Sequence, residues 1–100
     1  MDGGDPALLP PEQTYFLREN LKLRLLNARL ALLQRNEPVF KADLNMAIQW
    51  IAKYFDMHQK NVAAASATLQ ELQSAGLVVE LPTLADSLAA IRNFRAVSEK

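Results

Sequence analysis

Residues Tyr15–Arg35 read YFLRENLKLRLLNARLALLQR, and the rest of the chain has to be arranged around them. The stretch holds eight Leu and two Ala, with no Gly, Pro or β-branched residue to interrupt a helix. At about 100° per residue its apolar side chains fall into two groups. Leu17, Leu21, Leu25, Ala28 and Leu32 occupy one arc, and Leu23, Leu26, Leu30 and Leu33 occupy another, roughly opposite. A helix resting on a core from one side needs a single apolar stripe. Two stripes predict cover on both sides, with this helix either at the centre of a bundle or at the seam of an assembly.

Outward from that helix, punctuation residues divide the chain. Upstream, residues 1–10 are Gly- and Pro-rich and read as a flexible leader or a cloning scar. Pro11 suits a helical first turn, where its missing N–H costs nothing. Downstream, Arg35 is expected to face the last carbonyls of the first helix. Asn36-Glu37-Pro38 signals a turn with Asn36 as the cap of the next helix. Phe40, Leu44, Ala47, Ile48, Ile51, Tyr54 and Phe55 then form a single stripe, with Trp50 at its margin. Asp56 followed by Gln59 reads as a capping box opening a third helix. That helix is Ala-rich, has Val62, Ala65, Leu69 and Leu72 as its stripe, and stops at Gly76. Leu77–Pro82 reads as an extended connection. Thr83 with Asp86 suggests a second capping box, opening a short helix with Leu84, Leu88, Ile91 and Phe94 inside. The expected fold is therefore all-α: an antiparallel three-helix bundle with a short fourth helix, over approximately 12–35, 38–55, 57–75 and 84–95. Residues 11–96 form one helical domain and 97–100 fray.

Bulk properties narrow the functional classes. A chain of 100 residues, half of them apolar, supports one small core. The formal net charge is zero, which argues against a nucleic-acid binder that works through overall charge. With no Cys, disulfides, thiol catalysis and Cys-ligated metals are excluded. No apolar run reaches the ~18–20 residues needed to span a bilayer.

Chemically equipped residues are few. His58 is the sole imidazole and has no partner of the kind a triad or a metal site requires. The carboxylates are scattered and serve as caps and surface. No Gly-rich turn between strand and helix is present to bring backbone N–H groups onto a nucleotide or S-adenosylmethionine. No catalytic, cofactor-binding or metal-ligating residue is assigned. Arg18, Lys22 and Arg29 line the narrow arc between the two apolar stripes, where a basic groove could take phosphate, a lipid head group or an acidic ligand. The plainer reading is that these long side chains snorkel between packed neighbours and pair with acids on the second and fourth helices.

The run Phe16–Leu33 (FLRENLKLRLLNARLALL) closely resembles a signature stretch of the HemX family. Trp50, Tyr54-Phe55-Asp56, Leu81-Pro82 and Arg92-Asn93-Phe94 are similar to further family segments, so the resemblance covers roughly residues 8–95. It implies a Gram-negative inner-membrane protein with a short cytoplasmic tail, one transmembrane helix, a coiled-coil segment and a helical periplasmic domain. This chain would belong to that last part, without the anchor. Members are often labelled uroporphyrinogen-III C-methyltransferases, a label that the resemblance ties to neighbouring haem- and sirohaem-synthesis genes. Methyltransferases of that activity are larger α/β enzymes that bind S-adenosylmethionine through Gly-rich loops, which nothing here resembles.

Three functional expectations follow. The first is a non-catalytic interaction module contacting a protein partner, a second copy or the rest of the parent protein. Its surface would be Leu23, Leu26, Leu30 and Leu33, with Arg18, Lys22 and Arg29 beside them; full burial of those leucines within one chain would remove it. The second is a tetrapyrrole-binding domain in which Tyr15 or Trp50 flanks the basic groove and His58 ligates iron if the ligand is haem. The third is methyl transfer, with a cofactor site completed by other chains or segments.

Overall fold

A computed structural model describes residues 10–76 and 81–96. The leader, most of the extended connection at 77–80 and the tail at 97–100 lie outside the described residues. Four α-helices follow one another: α1 (Pro11–Leu33), α2 (Glu37–Tyr54), α3 (Lys60–Ala75) and α4 (Leu81–Ala90), with a 3-10 turn over Ile91–Asn93. Apart from these, the described residues contain an isolated antiparallel bridge between Phe55 and Ala96.

The helices close into a ring of contacts. α2 packs against both α1 and α3, and α4 touches α1 and α3. Trp50 reaches Leu17 while Met46 reaches Arg24, so α1 and α2 run antiparallel. Gln73 near the end of α3 donates to the Lys41 carbonyl near the start of α2, giving the second antiparallel pair. The single stripes become the core: Phe40, Leu44, Ala47 and Ile51 from α2, Val62, Ala65, Leu69 and Leu72 from α3, and Leu84 from α4. Each large side chain fully buried in this way contributes about 1.5–3 kcal/mol. From α1 come Leu17, Leu21, Leu25, Ala28, Ala31 and Leu32, and nothing from the opposite stripe. The expectation of a first helix covered on both sides within a central bundle position is thus corrected. α1 has its neighbours, α2 and α4, on the inner side, and its second stripe is left exposed.

Four local readings change as well. α1 ends at Leu33, and Arg35 lies beyond it in the left-handed region (φ 59°), meeting the last carbonyls through its backbone N–H. The Arg35 N–H donates to Leu32 O at 3.1 Å and the Asn36 N–H to Ala31 O at 2.8 Å, a Schellman closure without the usual glycine. Asn36 still caps α2 through Val39 N–H, at 3.3 Å.

The Asp56–Gln59 box does not form. Asp56 Oδ1 accepts from the His58 N–H at 2.9 Å, holding a turn, and α3 begins only at Lys60. Gln59 is used elsewhere: its amide donates to Asn93 O at 3.0 Å and its carbonyl accepts from the Arg95 N–H at 2.9 Å. Likewise α4 starts at Leu81, before Thr83, whose carbonyl accepts from Ser87 Oγ. Pro82 is tolerated in that first turn because no intrahelical N–H bond is lost there. The expected helix to residue 95 stops at Ala90, and Phe94 is extended (φ −73°, ψ 132°).

That extended segment ties the fold shut. Asp56 N–H donates to Arg95 O at 2.8 Å, Asn61 reaches Asn93 O at 3.2 Å, and the Phe94 ring meets the Phe55 ring edge-on at 5.5 Å. Phe55, Phe94 and Ala96 are all buried.

Candidate functional site: the outer face of the first helix

Leu23 (58% exposed), Leu26 (40%), Leu30 (54%) and Leu33 (55%) stand on one side of α1, whereas Leu21 opposite is fully buried. Tyr15 and Phe16, also well exposed, extend the same side toward the helix start. From Phe16 to Leu33 the row runs about 25 Å at the rise of an α-helix. Single exposed leucines are ordinary on a protein surface; here four stand in one row. Phe16 was not among the residues singled out from sequence. Its membership of the row was legible in its spacing from Leu23 and Leu30, at seven-residue intervals.

The basic residues of α1 do not act as one groove. Arg18 is committed inward, its Nε and Nη2 donating to the Phe94 carbonyl at 3.0 and 2.8 Å. Such a charge-assisted fork fixes the C-terminal segment against α1 and contributes about 1.5–3 kcal/mol. Lys22 pairs with Glu19 one turn before it, at 3.0 Å. Arg29 is exposed beside the leucine row. The partners of Arg18 and Lys22 are thus a carbonyl and a residue of the same helix, rather than acids on α2 and α4.

Trp50 faces a different cation. Its ring lies 5.0 Å from the Arg24 guanidinium carbon, its Nε1 donates to the Leu17 carbonyl at 3.0 Å, and Tyr54 packs at 4.5 Å. With Met46, Gln49 and Lys53 these residues line an open depression of about 190 Å³ between α1 and α2. Arg24 Nε is buried there without a hydrogen-bond partner among the described residues. Tyr15 does not line this depression. His58 sits exposed in the α2–α3 turn, not in the first turn of a helix. Among the described residues no group of three or more His, Asp or Glu comes together as a metal site would require. None of the described helices is long and apolar enough to cross a membrane.

The profile of a family described as "HemX, putative uroporphyrinogen-III C-methyltransferase" matches residues 2–100. The chain belongs to the HemX family. A protein of Haemophilus influenzae, printed only as "Uncharacterized protein", is 28% identical over 87 residues, which cover 87% of this chain and 50% of that relative. This HemX-family chain therefore spans about half the length of the curated relative it matches. No solved structure is significantly similar to it. The family description names uroporphyrinogen-III, a tetrapyrrole.

Proposed function

We propose that this HemX-family domain is a non-catalytic interaction module whose contact surface is the outer face of α1. One observation carries this reading: four leucines of a single helix face are 40–58% exposed while the opposite face of that helix is buried in the core. Leaving that much leucine surface in water is unfavourable by roughly 25 cal/mol per Å², and a partner would recover it. In this reading the domain belongs to a membrane-anchored protein and works at the periplasmic face of the inner membrane. The family name then reflects association with tetrapyrrole metabolism rather than methyl transfer by this chain. The described connections, at 34–36 and 55–59, contain no Gly-rich loop of the kind that holds S-adenosylmethionine.

A second reading, tetrapyrrole binding, is favoured by the Arg24–Trp50–Tyr54 depression, where cations meet aromatic faces. Its position differs from the Arg18–Lys22–Arg29 groove expected for it, and His58 plays no part there.

Photo-crosslinking separates these readings. A photoreactive residue in place of Leu30, in the parent protein expressed in cells, is expected to give a discrete adduct, and one in place of exposed Gln70 on α3 is not. Equal or absent adducts at both positions would contradict the interaction reading. An amide titration with S-adenosylmethionine and with a uroporphyrin is expected to be silent for the first. Saturable shifts around Trp50 with the second would establish the ligand reading instead.

A further inference from the structure

The exposed row on α1 has a finer pattern than apolar spacing alone. Phe16, Glu19, Leu23, Leu26, Leu30 and Leu33 follow one another at steps of three, four, three, four and three residues. This is the a/d spacing of a heptad seam, with Phe16, Leu23 and Leu30 at a and Glu19, Leu26 and Leu33 at d. The edge beside the d row then carries Tyr15, Lys22 and Arg29, and the edge beside the a row carries Asn20, Asn27 and Gln34. One flank is cationic in its last two heptads and the other is neutral.

From this pattern, and resting on the reading of this face as an interaction surface, we infer that its occupant is a single amphipathic helix of a different polypeptide. That helix has its own apolar a/d seam, with Asp or Glu along the edge that meets Lys22 and Arg29. Charge complementarity decides between this partner and a second copy. A parallel, in-register pair of copies sets the d-position Glu19 against its own counterpart inside the seam. An antiparallel pair brings like flanks together and sets the Lys22 and Arg29 edge against itself. Each arrangement carries a like-charge contact, and e/g charges of this kind select partners in helix pairing. An acidic-flanked helix meets neither penalty: Lys22 and Arg29 gain partners, and Glu19 keeps its 3.0 Å contact with Lys22 on the same helix.

The test uses two synthetic three-heptad helices with Leu at a and d, one with Glu and one with Lys at e and g. Both are titrated against the intact chain, whose own association is followed by sedimentation equilibrium. The Glu-flanked helix is expected to bind roughly tenfold more tightly, the sum of two surface ion pairs and the removal of their repulsion. The double variant Lys22→Glu/Arg29→Glu is expected to reverse that preference, which a merely structural role for these two residues would not do. Equal binding of both helices would overturn the charge assignment while leaving the face as an interaction surface. Micromolar self-association abolished by Leu26→Glu would overturn it in favour of a second copy. Binding of neither helix by a monomeric chain would overturn this inference, and the adduct at position 30 decides separately whether the face is a contact surface at all.

Discussion

The two sides of α1 are made of the same residue and have opposite fates. Leu21 and Leu25 are sealed in the core, whereas Leu23 and Leu30, only two and five residues further along, are more than half exposed. Hydrophobicity therefore does not by itself assign a side chain to the core. What assigns it is whether another element has a stripe to offer. α2, α3 and α4 each bring one stripe: α2 and α4 pack against α1, and α3 joins α2 to α4. No stripe of the described residues is left for the outer face.

That contrast can be broken at several points. Phe94→Ala removes a fully buried ring that closes the bundle against Phe55, and about 3–5 kcal/mol of stability should go with it. Denaturant titration would show this as a large drop in midpoint. Leu21→Ala on the inner face should cost about 2–5 kcal/mol, read in the same titration. A cost below about 1 kcal/mol would mean that the inner face is not the packed one. Arg18→Met keeps the stem but leaves the Phe94 carbonyl without its charged donor, and about 1.5–3 kcal/mol should be lost. Amide exchange should quicken across residues 93–96 in that variant more than across α2.

Arg35→Gly should act the other way. Arg35 holds a left-handed backbone with φ of 59°, a conformation disfavoured by about 1–2 kcal/mol for residues with a Cβ. Glycine should raise stability by about 0.5–1 kcal/mol, a shift of a few degrees in the melting temperature.

The helices were legible from sequence because each has a periodic stripe and a stop. Asn36 and Gly76 behave as their chemistry suggests, one capping with its side chain and the other supplying a positive φ of 68°. The helix starts at 60 and 81 were misread because a capping box is a local pattern, and Gln59 has a stronger non-local use. Its amide is drawn to the backbone of residues 93 and 95, more than thirty positions away. No local rule announces such a contact. The Schellman closure at Arg35 was hidden for the same kind of reason, since the expected glycine is not there. Of the candidate site, the leucine row was readable from its angle on the helix. The separation of Arg18 from Lys22 and Arg29 was not, because it depends on where Phe94 comes to rest.

The central claim is that the outer stripe of α1 serves something other than this chain's own fold. Thermal and denaturant unfolding of Leu23→Glu/Leu30→Glu tests it most directly. The account predicts a cooperative transition within about 0.5 kcal/mol of the parent, as for exposed positions that pack against nothing. A loss of several kcal/mol would contradict it, by showing that these leucines are buried when the chain is folded in solution.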